Sequence, residues 1–92
     1  KMQVDVTQED IEKANGLRQR GVPFHSMCPI YQALKRLGVD VYYVTTGSIR
    51  MHTAPNNVAY RAIPLPSIAI HKIDRWDRTK KMVPFSFEVE VG

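Results

Sequence analysis

From Phe85 to the end of the chain, apolar and polar residues alternate without a break. Phe85, Phe87, Val89 and Val91 fall on one side, and Ser86, Glu88 and Glu90 on the other. A period of two marks a strand with one face buried and one in water. Such a strand cannot stand alone, because its backbone needs a partner ladder. The other end of the chain offers one: Met2, Val4 and Val6 alternate with Gln3 and Asp5. Pairing of the two ends would close the fold on itself.

Between these ends the apolar period changes. Thr7 with Asp10 three residues on has the pattern of a capping box, which predicts a helix from Gln8 to Ala14 ending near Asn15-Gly16. Leu17 to Met27 reads as a loop. Pro29 suits a first helical turn, Ile30, Ala33, Leu34 and Leu37 follow at helical spacing, and Gly38 marks the stop. Val39 to Thr45, Ile49 to Thr53 and Val58 to Ile63 read as three strands of a meander. They are joined at Thr46-Gly47-Ser48 and Pro55-Asn56-Asn57, and closed by Pro64 and Pro66. Ser67 to Arg78 reads as an amphipathic helix with Ala69, Ile70, Ile73 and Trp76 on its apolar stripe. The order predicts one α+β domain over residues 1–92: a small antiparallel sheet of four to five strands with two to three helices on one face.

With 92 residues the chain builds one thin core, so a homo-oligomer is expected to bury some of the remaining apolar surface. The hydrophobic fraction of 43% is too high for a disordered chain. The start, Lys1-Met2-Gln3-Val4-Asp5, has no signal-peptide apolar run behind it, and Lys1 reads as an addition before Met2. No stretch approaches the roughly 20 apolar residues of a membrane span, so no membrane partner is expected. The single cysteine, Cys28, has no internal partner for a disulfide, which favours a reducing cytoplasm.

Standard chemistry finds little purchase. His25 and Cys28 are spaced like half a zinc site, but one Cys and three His supply too few converging ligands. Cys28 at a helix start invites an activated thiol with His25 as its base, against the plainer reading of a small buried residue. His71, Asp74 and Asp77 lie along one helix, with Arg75 and Arg78 interleaved and Asp74–Arg78 set for an i,i+4 ion pair. That is a solvated face rather than an acid–base site. There is no phosphate-cradling glycine loop and no dinucleotide fingerprint. The expectation is a protein without catalytic residues, metal or cofactor.

Charge is the most suggestive signal. The net charge is +4; all bases except Lys1 lie between Lys13 and Lys81, opposed there only by Asp40, Asp74 and Asp77, while the other acids gather at the two ends. Lys72, Arg75, Arg78, Lys80 and Lys81 form one basic group; Arg18, Arg20, Lys35 and Arg36 form a second. Both are candidates for an anion or an acidic partner, with arginine the better fork for phosphate or carboxylate. Nucleic acid is the alternative partner, although no standard recognition helix, finger or RNA-stacking motif is present. Of the tyrosines on neighbouring strands, Tyr42, Tyr43 and Tyr60, one is a candidate for an exposed stacking or interface residue.

Three stretches carry a resemblance. Val6-Thr7-Gln8-Glu9-Asp10-Ile11, Cys28-Pro29-Ile30 leading into Ala33-Leu34-Lys35-Arg36, and Pro84-Phe85-Ser86-Phe87-Glu88 resemble a family of short proteins from tailed phages and prophages. Some relatives have a second cysteine near the position of His25, where this chain departs. The resemblance implies a phage accessory protein in the cytoplasm of a host bacterium. It would act by occupying a host or anti-phage defence protein or by sequestering a nucleotide-like anion; a virion component is another role open to such proteins.

Overall fold

The computed structural model describes residues 1–23, 27–52 and 60–90. Five strands and three helices follow one another: β1 (Met2–Val6), α1 (Gln8–Gln19), α2 (Pro29–Arg36), β2 (Val41–Val44), β3 (Ser48–His52), β4 (Tyr60–Pro64), α3 (Ser67–Thr79) and β5 (Phe85–Val89). The fold is α+β. The strands divide into two antiparallel sheets, β1–β5 and β2–β3–β4, instead of the single sheet that the alternation suggested. There is thus no one sheet face for the three helices to share. Helix α2 packs against both β1 and β2, so a helix rather than a hydrogen-bond ladder joins the two sheets.

The chain ends pair as their alternation implies. Met2 stands opposite Val89, Val4 opposite Phe87 and Val6 opposite Phe85. Val4, Val6, Phe87 and Val89 are buried, while Gln3, Asp5, Ser86 and Glu88 are exposed. On that outer face Asp5 accepts hydrogen bonds from Gln3 Nε2 at 2.8 Å and Ser86 Oγ at 2.6 Å, and both hold its carboxyl below the usual range. The meander is held at its first turn by Thr45, whose hydroxyl accepts from the Ser48 N–H at 2.9 Å. The pairing of β2 with β3 shifts register between Val41 and Tyr43. Tyr42, between them, is about half exposed, with its ring edge-on to Tyr43 at 5.1 Å. The expected meander residues Thr53 to Ala59, and Val91 at the chain end, lie outside the described residues.

Helix α1 begins as expected. Thr7 and Asp10 form a reciprocal capping box. Its end differs: the helix passes through Asn15 and Gly16 and continues to Gln19, so Arg18 sits on a helix and not in a loop. A mid-helix glycine costs about 1 kcal/mol. Three contacts outweigh it. Leu17 packs against the core, Asn15 Oδ1 accepts from Trp76 Nε1 at 2.8 Å, and Arg18 anchors on α3. The helix stops at Gly21 (φ +78°), where the Gly21 N–H bonds Arg18 O and the Val22 N–H bonds Leu17 O, a Schellman motif. Helix α2 ends the same way on Gly38 (φ +82°), with Gly38 bonded to Lys35 O and Val39 to Leu34 O.

Helix α3 ends differently. Lys80 takes the left-handed conformation itself (φ +62°), and its N–H bonds Trp76 O at 2.7 Å. The left-handed region costs a residue with a Cβ about 1–2 kcal/mol. Lys80→Gly is therefore expected to stabilise the fold by about 1 kcal/mol after glycine's greater freedom in the unfolded chain is counted. In a thermal melt this appears as a rise in Tm of about 4–8 °C; a fall would show that the lysine side chain holds the cap.

The core gathers around Trp76, Ile30, Leu34, Ile49, Ile73, Val4 and Val44, all with side chains essentially out of water. On α3, Ala69, Ile73 and Trp76 are buried as their spacing implies, but Ile70 is 37% exposed and drops off the stripe. Among the described residues no helix is long and apolar enough to cross a membrane.

Candidate functional site

Cys28 is decided by its surroundings. It is the N-cap of α2, where its sulfur accepts from the Tyr31 N–H at 3.4 Å, and it is fully buried. Burial pushes the thiol up to about 12, and the hydrogen bonds from Tyr31 and Ile30 pull it down too little to compensate. The helix N-terminus that suggested an activated thiolate is thus outweighed by desolvation. A thiol reagent is expected to leave the native protein unmodified and to label Cys28 only as fast as the fold opens. Fast labelling of folded protein would contradict this. His25 and Ser26, and the side chains of His52 and Tyr60, lie outside the described residues. Among those described, no three His, Cys, Asp or Glu side chains come together in a metal-holding group. His71, Asp74 and Asp77 are all exposed on α3, and Arg78 Nη2 pairs with Asp74 at 2.9 Å.

The two basic groups fare differently. Arg18, a candidate ligand residue by sequence, is a structural one. Its guanidinium donates to Trp76 O at 3.1 Å and Asp77 O at 2.7 Å, and it lies over the Trp76 ring with its carbon 4.9 Å from the centroid. Those carbonyls belong to the last turn of α3, the negative pole of that helix. Arg36 is also committed. Nε and Nη2 donate to the two Asp10 oxygens at 3.2 Å each, and Nη2 also reaches Asp5 O at 2.8 Å. Arg20 and Lys35 are exposed, with Lys35 Nζ 5.9 Å from the Tyr31 ring centre. With Arg18 and Arg36 occupied, the second group is not an assembled site.

The first group is partly assembled. Lys72 and Arg75, one turn apart on α3, meet Lys81, Met82 and Val83 from the segment that leads into β5. Together they line a cleft of about 230 Å³. Lys72 Nζ lies 5.7 Å from the Phe85 ring centre, which steadies its stem beside the cleft. Among the described residues none of the three cations has an acidic partner within 4 Å. Lys80 turns away. It lines a separate cleft of about 180 Å³ with Asn15, Arg18 and Gln19. Arg78 lines neither cleft and faces Asp74.

A larger depression of about 360 Å³ lies between α1 and α2, lined by Glu9, Asp10, Lys13, Gln32, Lys35 and Arg36. Its charges are mixed and its Asp10–Arg36 pair is already made, so it presents little net field to a ligand. Met82 and Val83 were not legible as site residues. They follow a helix end with no periodicity to place them, and only the fold brings them beside Lys72 and Arg75. Compared with known proteins, the chain matches no family model, no curated protein and no solved structure.

Proposed function

We propose that the chain is a non-enzymatic binding protein that holds an anionic group of its partner between Lys72, Arg75 and Lys81. The observation that carries this is that three cations line one cleft whose wall has no acid and that none of them has an acidic partner within 4 Å among the described residues. A cleft of about 230 Å³ is smaller than the roughly 300–1,000 Å³ of pockets that enclose whole small ligands. It suits an end group, with the rest of the partner lying outside. The resemblance to short tailed-phage and prophage proteins supports a role in an infected bacterium. There, occupying a host or defence component, or holding a nucleotide-like anion, would serve the phage. Self-association belongs to the same reading, since Leu37, Tyr42 and Ile68 are each about half exposed on a small chain.

Native mass spectrometry of protein isolated from infected cells tests this. The expected result is a species carrying an anionic ligand or acidic protein, lost from an Arg75→Glu/Lys81→Glu variant. Retention of the same species by the variant would place the contact elsewhere. A nucleic-acid regulator is the second reading, favoured by Lys80 and Lys81 facing clefts on different sides of the α3 end. Contact with three phosphates gives a log–log salt slope of about −3 for duplex DNA. A flat salt response would exclude it.

A further inference from the structure

We infer that the group held by Lys72, Arg75 and Lys81 is the phosphate monoester end of a small organic molecule. This rests on the cleft being an anion site at all, as proposed above, and adds the chemical class.

The first ground is charge. Three cations line the cleft, no acid lines it, and none of the three has an acidic partner within 4 Å among the described residues. A carboxylate or a phosphodiester brings one negative charge. A phosphate monoester brings about 1.5 to 2 near neutral pH and presents three terminal oxygens. One guanidinium fork and two ammonium points match that set better than they match a two-oxygen anion.

The second ground is that Arg75 and Lys81 are exposed and are not the cations that hold the end of α3. Cations near a helix C-terminus usually serve its last carbonyls. Here three carbonyls near that end have partners other than the cleft cations. Arg75 O accepts from Thr79 Oγ1 at 2.7 Å, Trp76 O from the Lys80 N–H and Arg18 Nη1, and Asp77 O from Arg18 Nη2. Arg18 supplies the positive charge that the negative pole calls for, from the α1 side. Arg75 and Lys81 therefore line the cleft as exposed side chains, and Arg18 offsets part of the negative pole that would repel an anion.

The third ground is the apolar edge. Met82 is half-buried and Val83 is 61% exposed beside the three cations. An exposed valine next to a charged cleft gives an apolar or aromatic group on the ester somewhere to lie. Inorganic phosphate would use the cations alone.

The test is titration of the protein at pH 7.5 with four probes, followed by the backbone amide signals in NMR: phenyl phosphate, its methyl diester, benzoate and inorganic phosphate. Phenyl phosphate is expected to bind about tenfold or more tightly than the diester or benzoate, and more tightly than inorganic phosphate. Arg75→Ala is expected to remove most of that binding and Lys35→Ala to leave it unchanged. Val83→Ser should lower affinity for phenyl phosphate and not for inorganic phosphate. Equal affinity for the monoester, the diester and benzoate, all lost in Arg75→Ala, would overturn the phosphate assignment and leave the anion cleft standing. Inorganic phosphate binding as tightly as phenyl phosphate would overturn the organic part. No binding of any probe would overturn both the assignment and the anion cleft.

Discussion

Replacing Trp76 with alanine is expected to cost about 3–5 kcal/mol, the usual range for emptying a buried aromatic site. A chain of this length has about 5–14 kcal/mol in total, so the variant would lose a large share of its stability. Trp76 is fully buried, and its ring does three things at once. It fills the centre of the core, donates from Nε1 to Asn15 Oδ1 at 2.8 Å, and lies under the Arg18 guanidinium at 4.9 Å. The last two contacts hold α1 against α3 and carry α1 through Gly16. Trp76→Phe separates the parts. It keeps most of the apolar volume but takes the donor from Asn15, for about 1–2 kcal/mol. Urea unfolding reads both values as shifts in midpoint at constant slope. A Trp76→Ala midpoint close to wild type would mean that the core does not depend on this ring.

Asp10 is expected to give the second large effect. It is 4% exposed, the deepest acid among the described residues, and joins three elements. Its carboxylate caps α1 by accepting from the Thr7 N–H at 2.9 Å, and it accepts from Arg36 at the end of α2. Arg36 in turn donates to Asp5 O at the end of β1. Asp10→Ala should cost about 2–3 kcal/mol, from the lost cap and the charged hydrogen bonds. The cost stays below the 3–5 kcal/mol of a broken buried pair, because the Arg36 side chain is 41% exposed and can turn to water.

The same group gives the fold an acid dependence. Burial alone would raise the Asp10 carboxyl, but the hydrogen bonds from Arg36 and Thr7 outweigh it and the group ends below its ordinary value of 3.8. A carboxyl lowered by folding stabilises fully above its unfolded value, and that stability is lost as pH falls through the folded value. The wild type should therefore lose stability more steeply than Asp10→Asn below about pH 4. Parallel curves from urea midpoints across that window would remove Asp10 from the acid response.

Local chemistry made much of this fold legible, and distant partnerships made the rest obscure. The Thr7–Asp10 box, Pro29 at the start of α2, Gly38 after it and the alternation in β1 and β5 all act within a few residues, and each is found in place. Helix α1 runs past the end that its sequence predicts, although Asn15-Gly16 has the local chemistry of a stop. What carries the helix onward is Trp76, 61 residues away. The division into two sheets was hidden for a related reason. Alternation tells which face of a strand is buried and not which strand lies beside it. In the candidate site, Lys72, Arg75 and Lys81 could be named from charge alone. Arg18 could not be told from them, because an arginine that caps a remote helix looks in sequence like one that awaits a ligand.

The structure sorts the bases by what they already touch. Arg18 and Arg36 are bound to the fold, Arg78 faces Asp74, and Lys80 lies on the far side of the α3 end. Lys72, Arg75 and Lys81 are left on one cleft. A general basic surface would spread a bound anion over all exposed lysines and arginines in proportion to exposure.

The most direct measurement is the map of amide signals that move when inorganic phosphate is added to the folded protein in low salt. Saturable shifts are expected, concentrated at Lys72, Arg75 and Lys81 to Val83, with Lys13, Arg20 and Lys35 unmoved. Small, unsaturating shifts of equal size at all six bases would contradict it and return the cleft to ordinary solvated surface.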